Sequence, residues 1–284
     1  METTMPIFDR RRLIAFSLAG AALVAATPGL TRQSAPRAQS YGADPLQSYD
    51  LYPGPATGPV LMFVHGGGWK RGENSMVNAL PDYARRHGLT LASTSYRLVP
   101  DVGAREEAQD VAAAIADLHR RLPGRAIFVL GHSAGAHLAA LVGVDPVYLG
   151  AHGLKPSDLG GVILLDGAGY DATGPRGRGI VGRALDEMYD NAFGPEGSPG
   201  RAELSPTLRV RSGQTYPPFL IFHVASRADS AAQSQALATV LIRAGGRAEV
   251  IAAPGETHMT INRSFGVADD PEGERGARFI AEHS

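Results

Sequence analysis

The residue types that nucleophilic catalysis needs occur along this chain in the order serine, aspartate, histidine. The serine, Ser133, lies in the pentapeptide Gly-His-Ser-Ala-Gly of residues 131–135, between the apolar run 126–130 and a helix-like stretch from residue 136. A turn between a buried strand and a helix is so tight that the flanking glycines must lack side chains, and the serine hydroxyl is exposed at its apex. We therefore predict that Ser133 is a nucleophile.

A serine nucleophile needs a base, and the base needs a carboxylate that orients it. His258 lies in a loop directly after the last predicted strand and is the predicted base. Asp229 follows the strand that ends at Val224 and precedes the predicted helix 230–244, and it is the preferred acid. Asp166, at the end of the preceding strand, is the rival candidate, with hydrogen bonding inside its own loop as the alternative role.

A second motif, His-Gly-Gly-Gly-Trp at residues 65–69, directly follows the buried-strand pattern of residues 60–64. Consecutive glycines leave backbone N–H groups uncovered, and such groups can bind the oxyanion that develops on a substrate carbonyl. We predict that the N–H groups of Gly66, Gly67 and Ala134 form this oxyanion hole.

The ring-bearing residues of the two motifs have other predicted roles. His65 is predicted to brace its glycine loop rather than to act as a base. Trp69 and His132 are predicted to line the substrate pocket, and for Trp69 a buried anchor of the loop is the alternative. This chemistry needs no metal and no cofactor, and we expect neither.

The elements that must hold these residues follow from the alternation of apolar strands with helical patterns. Short apolar runs, typical of strands buried on both faces, occur at 60–64, 126–130, 161–165 and 218–224. With helical patterns between them, they predict an α/β fold with a mostly parallel central sheet and helices on both faces. Residues 41–284 are predicted to form one domain, in which residues 167–216, rich in Gly, Pro and Arg, form a small cap region.

The first 40 residues have the pattern of a targeting segment. Arginines at 10–12 precede an uncharged run at 13–26, which is too short to span a bilayer but suits the apolar core of a signal peptide. We expect residues 1–40 to be a signal peptide of the twin-arginine type and the protein to be exported, to the periplasm or outside the cell. Cleavage is predicted at 24–26 or 38–40, and an uncleaved N-terminal anchor is the alternative.

The composition excludes several other classes of function. The net charge is −1, so the sequence predicts no basic surface for nucleic acid. Cysteine is absent from the sequence, which excludes disulfides and thiolate catalysis. An apolar fraction of 44% and a charged fraction of 19% are typical of a globular protein with a sizeable core. No stable membrane span is predicted.

With these motifs the chain resembles the α/β-hydrolase fold esterases of the carboxylesterase and lipase type. Within that type it is similar to feruloyl and acetyl-xylan esterases and to kynurenine-formamidase-like enzymes. The similar stretches extend over essentially the whole mature chain: Tyr41–Pro45, Asp50–Tyr52, His65–Trp69, Ser95–Leu98, Gly131–Gly135 and Pro254–His258. The chain departs from the family at residues 223–229, where His-Val stands in place of the family's His-Gly.

The resemblance implies Ser133 as nucleophile, Asp229 as acid and His258 as base in the hydrolysis of a small-molecule carboxylic ester through an acyl-enzyme. Amide, formamide or peptide substrates would use the same residues and are the alternative. A catalytically silent ligand-binding member of the fold is a further alternative, which the presence of both the serine and the histidine disfavours.

Overall fold

Runs of valine, leucine, isoleucine and phenylalanine form the central strands of a sheet, because such side chains pack well on a pleated surface that is buried on both faces. The computed structural model describes Met1, residues 35–174 and residues 179–284. Within these ranges the strands are β1 Arg37–Ser40, β2 Ser48–Tyr52, β3 Val60–Val64, β4 Thr90–Thr94, β5 Ile127–His132, β6 Gly161–Leu165, β7 Phe219–Val224 and β8 Ala248–Ala253.

These eight strands of the described chain form one sheet in the order β1-β2-β4-β3-β5-β6-β7-β8. Strands β3 to β8 run parallel to one another, and β1 and β2 add an antiparallel pair at one edge. The carboxyl ends of the parallel strands therefore lie along one side of the sheet, where loops can bring distant residues together. The prediction of an α/β fold with a mostly parallel sheet is confirmed.

Alternate residues of the central strands enter two separate apolar cores. In β3, Val60, Met62 and Val64 belong to one buried cluster, whereas Leu61 and Phe63 belong to the other. Because side chains alternate across a strand, the two cores cover opposite faces of the sheet. The described helices are α1 Leu80–Arg86, α2 Ala104–Arg121, α3 Ala134–Val144, α4 Pro146–Gly150, α5 Gly179–Phe193, α6 Pro199–Glu203, α7 Pro206–Arg209, α8 Ala228–Arg243, α9 Thr260–Ser264 and α10 Pro271–Glu282.

Several helix boundaries differ from the sequence pattern. The sequence is helix-like over 73–87, with Pro81 inside the pattern, but the helix there is only α1, which begins at Leu80 with that proline in its first turn, a position where the missing N–H costs nothing. Helix α3 begins at Ala134 rather than at residue 136, and α5 begins at Gly179, before the helical pattern of residues 183–193. Helix α8 begins at Ala228 rather than at residue 230, and this shift matters for the site.

The segment predicted as a signal peptide, residues 1–40, overlaps the folded unit at its end. Residues 2–34 lie outside the described residues, but Arg37–Ser40 forms β1 and pairs in register with β2 from Ser48 to Leu51. The compact unit extends from residue 34 to residue 284. The last residues of the predicted leader therefore belong to the folded unit, and of the two predicted cleavage positions only 24–26 leaves β1 intact.

The predicted cap region, 167–216, packs directly on the core. It contains α5, α6 and α7, and Tyr189, Phe193 and Leu204 belong to the same buried cluster as the first face of the sheet. The segment is therefore a wall continuous with the core. Among the residues that the structure describes, no helix is long and apolar enough to cross a membrane.

Candidate active site

Ser133 lies at the sharp turn between β5 and α3. Its backbone has φ 55° and ψ −118°, a conformation that a residue with a side chain rarely adopts. A Cβ on Gly131 would lie 2.3 Å from the carbonyl oxygen of Gly135, and a Cβ on Gly135 would lie 2.1 Å from that of Val64. Both glycines are therefore required, as the motif predicts, and the hydroxyl of Ser133 stays half-buried at the apex.

His258 joins Ser133 to a buried carboxylate. Its Nε2 lies 2.9 Å from Oγ of Ser133, and its Nδ1 lies 2.6 Å from Oδ2 of Asp166. The three side chains come from the loops that follow β5, β6 and β8, at the carboxyl side of the sheet. Ser133 and Asp166 directly follow neighbouring strands, because His132 at the end of β5 pairs with Leu165 at the end of β6.

Asp166 is fully buried, and four donors surround its carboxylate. Oδ1 accepts from the backbone N–H of Val224 at 3.0 Å and from Oγ of Ser230 at 2.6 Å, while Oδ2 faces His258 and Arg227. Burial by itself would raise the pKa of Asp166, but these hydrogen bonds and the charge of Arg227 outweigh it and hold the pKa well below its usual range. Asp166 is therefore an anion in neutral solution.

The prediction that Asp229 orients His258 is wrong. Its carboxylate is bonded to Nη2 of Arg227 at 3.1 Å, and its side chain is 66% exposed. Because α8 starts at Ala228, Asp229 lies in the first helical turn rather than in the loop and is directed to solvent. Asp166, the rival candidate from the sequence, occupies the position beside His258.

The glycine loop after β3 lies against the nucleophile. Val64 at the end of β3 pairs with Gly131 of β5, so the two turns are neighbours. A Cβ on Gly66 would lie 3.1 Å from Cβ of Ser133, which places the Gly66 backbone beside the serine. Within the described part of the chain, the N–H groups of Gly66, Gly67 and Ala134 have no hydrogen-bond acceptor. They are available to an oxyanion at the serine.

His65 braces this loop, as the sequence predicts. It is buried, its Nδ1 donates to the carbonyl of Gly66 at 2.8 Å, and its ring stacks on Tyr96 at 4.3 Å. The hydroxyl of Tyr96 donates to the carbonyl of His65 at 2.8 Å. Burial lowers the pKa of His65 to about 4, so the ring is neutral and holds the loop without bringing a charge.

Trp69 does not line an open pocket. Its side chain is 1% exposed, and its ring packs against His137, Tyr189 and Phe193 at centroid distances of 5.5, 5.6 and 4.8 Å. Its Nε1 donates to Nδ1 of His137 at 3.3 Å. The buried-anchor alternative therefore holds, because four rings from the loop, α3 and α5 fill this space. Residue Met188 of α5 covers the loop, since a Cβ on Gly68 would lie 2.8 Å from its sulfur.

His132 is not a pocket residue either. It is 4% exposed, and its Nε2 donates to the backbone carbonyl of His258 at 2.8 Å. Burial, with the neighbouring His258 ring as a smaller cause, lowers the pKa of His132 to about 4. The neutral ring therefore ties β5 to the loop that carries His258.

Arg227 is a residue of the site that sequence reasoning missed. It is the N-cap of α8, and its guanidinium donates to Asp166 and to Asp229 and lies 2.8 Å from Nδ1 of His258. Its position directly after the strand that ends at Val224 is the signal that could have indicated it, since parallel sheets gather functional groups there.

One group of carboxylates in the described chain, Glu256, Asp270 and Glu272, is close enough to be considered for a cation, with oxygens within 4.8 Å of one another. Asp270 accepts from the N–H of Gly273 at 2.7 Å and caps α10. Burial raises the pKa values of Asp270 and Glu272. Such a cluster does not by itself define a metal site, and we assign it a structural role.

The class of protein follows from this fold and from comparison with known proteins. A family model described as alpha/beta hydrolase fold matches residues 61–262. The chain belongs to the α/β-hydrolase family, and the resemblance stated from its sequence is confirmed.

Individual relatives and structures are similar over different lengths. A probable isoprenylcysteine alpha-carbonyl methylesterase of Arabidopsis thaliana is 28% identical over 245 residues, which are 78% of this chain and 50% of that protein. A carboxylic ester hydrolase of Mycobacterium tuberculosis is 37% identical over 109 residues, which are 36% of this chain and 28% of that protein. The chain thus spans half or less of these curated relatives. In structure it is similar to esterase B of Lactobacillus rhamnosis, with a TM-score of 0.68, 23% identity and coverage of 88% and 87% of the two chains.

Proposed function

We propose that the protein is a serine hydrolase that cleaves carboxylic esters through an acyl-enzyme, with Ser133 as nucleophile, His258 as base and Asp166 as the orienting acid. The observation that carries this proposal is the line of contacts from Ser133 Oγ to His258 Nε2, at 2.9 Å, and from His258 Nδ1 to Asp166 Oδ2, at 2.6 Å. Hydrogen-bonded nucleophile, base and carboxylate are the arrangement that activates a serine hydroxyl.

The reaction follows from the positions of the atoms. His258 takes the proton of the Ser133 hydroxyl as Oγ attacks the ester carbonyl, and the developing oxyanion is bound by the N–H groups of Gly66, Gly67 and Ala134. Asp166 keeps the proton of the neutral imidazole on Nδ1 and stabilises the imidazolium. The imidazolium then protonates the leaving alcohol, and water repeats the sequence on the acyl-enzyme to release the acid.

An ester is favoured over an amide because the relatives include two methylesterases and a carboxylic ester hydrolase. A kynurenine formamidase of Meyerozyma guilliermondii, 31% identical over 106 residues, is also among the relatives, and it keeps amides as the alternative substrate class. Met188 of α5 covers the glycine loop. We expect the acyl or alcohol group of a small substrate to lie between this side chain and the serine.

The test is turnover of p-nitrophenyl acetate and butyrate by residues 35–284, beside Ser133→Ala and the exposed control Ser212→Ala. We expect turnover in the parent and in Ser212→Ala, and background rates in Ser133→Ala. An organophosphonate probe should add its mass to Ser133 alone. Ester turnover that survives Ser133→Ala, or a folded parent that turns over neither ester and takes up no probe, refutes the proposal. Faster cleavage of matched anilides than of these esters would favour the amide reading.

We also propose that the protein is exported by the twin-arginine route, on the arginines that precede the apolar run 13–26. Replacing Arg11 and Arg12 by lysine should keep the chain in the cytoplasm with its leader attached. Unchanged export of that variant would exclude this route. Cleavage near 24–26 is expected, because it leaves β1 intact.

A further inference from the structure

The guanidinium of Arg227 reaches the same atoms that hold the base. Its Nη1 donates to Oδ2 of Asp166 and lies 2.8 Å from Nδ1 of His258, and that Nδ1 lies 2.6 Å from the same Oδ2. A guanidinium can only donate. The Nδ1 atom therefore cannot accept from Arg227 and donate to Asp166 at the same time.

The two arrangements have opposite chemical consequences. With its proton on Nδ1, His258 donates to Asp166 and presents a lone pair on Nε2 to Ser133. If Arg227 donated to Nδ1, the proton would sit on Nε2 and the ring could not accept the serine proton. Asp166 favours the first arrangement, because its Oδ2 accepts from Nη1 of Arg227 and, at 2.6 Å, is also the acceptor for a proton on Nδ1. Asp229 accepts from the other nitrogen of the guanidinium, Nη2.

The charge of Arg227 also acts on the ring. A cation this close to the imidazole disfavours a second positive charge, and the side chain is only 30% exposed, so water screens it incompletely. The other charged or titratable groups that face His258 from the described elements are the Asp166 anion and the His132 ring, whose centroid is 4.8 Å away. Burial lowers the pKa of His132 to about 4, so in neutral solution it brings no charge. Asp229 lies behind Arg227, at the surface.

We propose that Arg227 is a positioning residue for His258: it holds the Asp166 carboxylate against Nδ1, so that the ring proton stays on Nδ1, and its charge opposes a second positive charge on the ring. The inference rests on the proposed function of Ser133, His258 and Asp166. It also gives Asp229 a role, since that carboxylate holds the outer nitrogen of the guanidinium and partly offsets its charge.

The test is the pH dependence of kcat/KM for p-nitrophenyl acetate in the folded chain. In Arg227→Gln, which removes the charge, the acidic limb should move to higher pH by about one unit. Arg227→Lys keeps the charge and should restore most of this shift. Asp229→Asn removes the counter-charge and should move the limb the other way, by a few tenths of a unit because the group is exposed.

Arg209→Gln is the matched control. Its guanidinium is 32% exposed and pairs with a carboxylate that is 7% exposed, Asp145 at the far end of α3, with N and O 2.6 Å apart. This pair consists of the same two kinds of group as Arg227 and Asp166 and has a similar exposure, but it does not contact His258. The limb should not move in Arg209→Gln.

An unmoved limb in Arg227→Gln, with activity lowered equally at every pH, would show a purely structural brace and overturn the inference. If Arg227→Gln does not fold, the sign of the Asp229→Asn shift decides, and no shift or an upward shift overturns it. The ring protonation of His258, followed by NMR and assigned with His258→Gln, separates the two proposals because it needs no turnover. A ring that responds to Arg227 in a protein without esterase activity would leave this inference standing and the proposed function refuted.

Discussion

Replacing Asp166 by asparagine should remove nearly all activity, whereas the same replacement at Asp229 should remove almost none. The reason lies in the donors around Asp166. Its Oδ1 accepts from the N–H of Val224 and from Oγ of Ser230, so the amide oxygen of an asparagine would stay on that side. The amide NH2 would then face Nδ1 of His258.

An NH2 group donates, so Nδ1 would become an acceptor and the ring proton would move to Nε2. The base would then point a hydrogen at Ser133 in place of a lone pair. Holding a catalytic histidine in the wrong tautomer costs about 10⁴ in kcat, or about 5.5 kcal/mol of transition-state stabilisation. Asp229 takes part only in an ion pair whose carboxylate is 66% exposed, and such pairs contribute about 0–1 kcal/mol. Its variant should lose no more than about fivefold.

The assay is kcat and KM for p-nitrophenyl butyrate at one fixed pH near 8. Emission from Trp69, the only tryptophan of the chain and 1% exposed, serves as the control for folding beside the site. The reasoning is refuted if a folded Asp166→Asn keeps more than about a tenth of the parent kcat, or if Asp229→Asn loses as much as Asp166→Asn.

Three further expectations concern the loop, the anchor of the base and stability in acid. Gly66→Ala places a Cβ 2.9 Å from Nδ1 of His132 and 3.1 Å from Cβ of Ser133, so the glycine loop must move. We expect kcat to fall by about 10²–10³ with little change in KM. An unchanged kcat would mean that Gly66 is not part of the oxyanion hole. His132→Phe removes the hydrogen bond to the backbone carbonyl of His258. Urea unfolding should show a free energy of unfolding lower by about 1–2 kcal/mol, and kcat should be lower as well. If both values are unchanged, His132 does not anchor the loop of His258. Burial lowers the pKa of His137 from its ordinary 6.5 to about 4, so the unfolded chain binds a proton that the folded chain does not between these values. Stability is therefore lost as the pH falls from about 6.5 towards 4. In this pH range, His137→Gln should lower the slope of the unfolding free energy against pH by about 1.4 kcal/mol per pH unit. An equal slope in the parent and in His137→Gln would contradict a neutral buried ring.

The central strands and the turn at Ser133 could be predicted because local sequence determines them. The run 127–130 is apolar at every position, and Gly131 and Gly135 are the residues that allow the close approach of strand and helix. His258 could be found because it is the histidine in the loop directly after the last strand. In each case a pattern of a few adjacent residues carries the information.

The choice between Asp166 and Asp229 could not be made this way, because it depends on where a helix begins and on which donors surround each carboxylate. The start of α8 at Ala228 places Asp229 in a helical turn, and a two-residue difference in a boundary is within the usual disagreement of such assignments. The donors from Val224 and Ser230 are 58 and 64 residues away from Asp166 in sequence. These donors meet at Asp166 because of the order of the strands in the sheet, which a short stretch of sequence does not contain.

The side chains of Trp69 and His132 were misplaced for a related reason. Both lie beside functional glycine turns, and adjacency in sequence suggested adjacency to substrate. Trp69 is instead enclosed by rings from α3 and α5, and His132 bonds a carbonyl 126 residues away. The strand at Arg37–Ser40 was missed in the same way, since its pairing partner, β2, lies beyond the predicted leader.

The three residues of the site are not held with equal firmness. Ser133 and Asp166 follow two central strands that pair with each other, and the N–H of each is bonded to a neighbouring strand, at Leu165 and Phe222. His258 follows β8, the last strand in the sheet order, in which every residue but Ala253 is partly or fully exposed. Edge elements open at lower free energy than the core. In rising urea the base should therefore withdraw while the serine and the carboxylate remain in place, so that activity disappears before the emission of Trp69 reports unfolding.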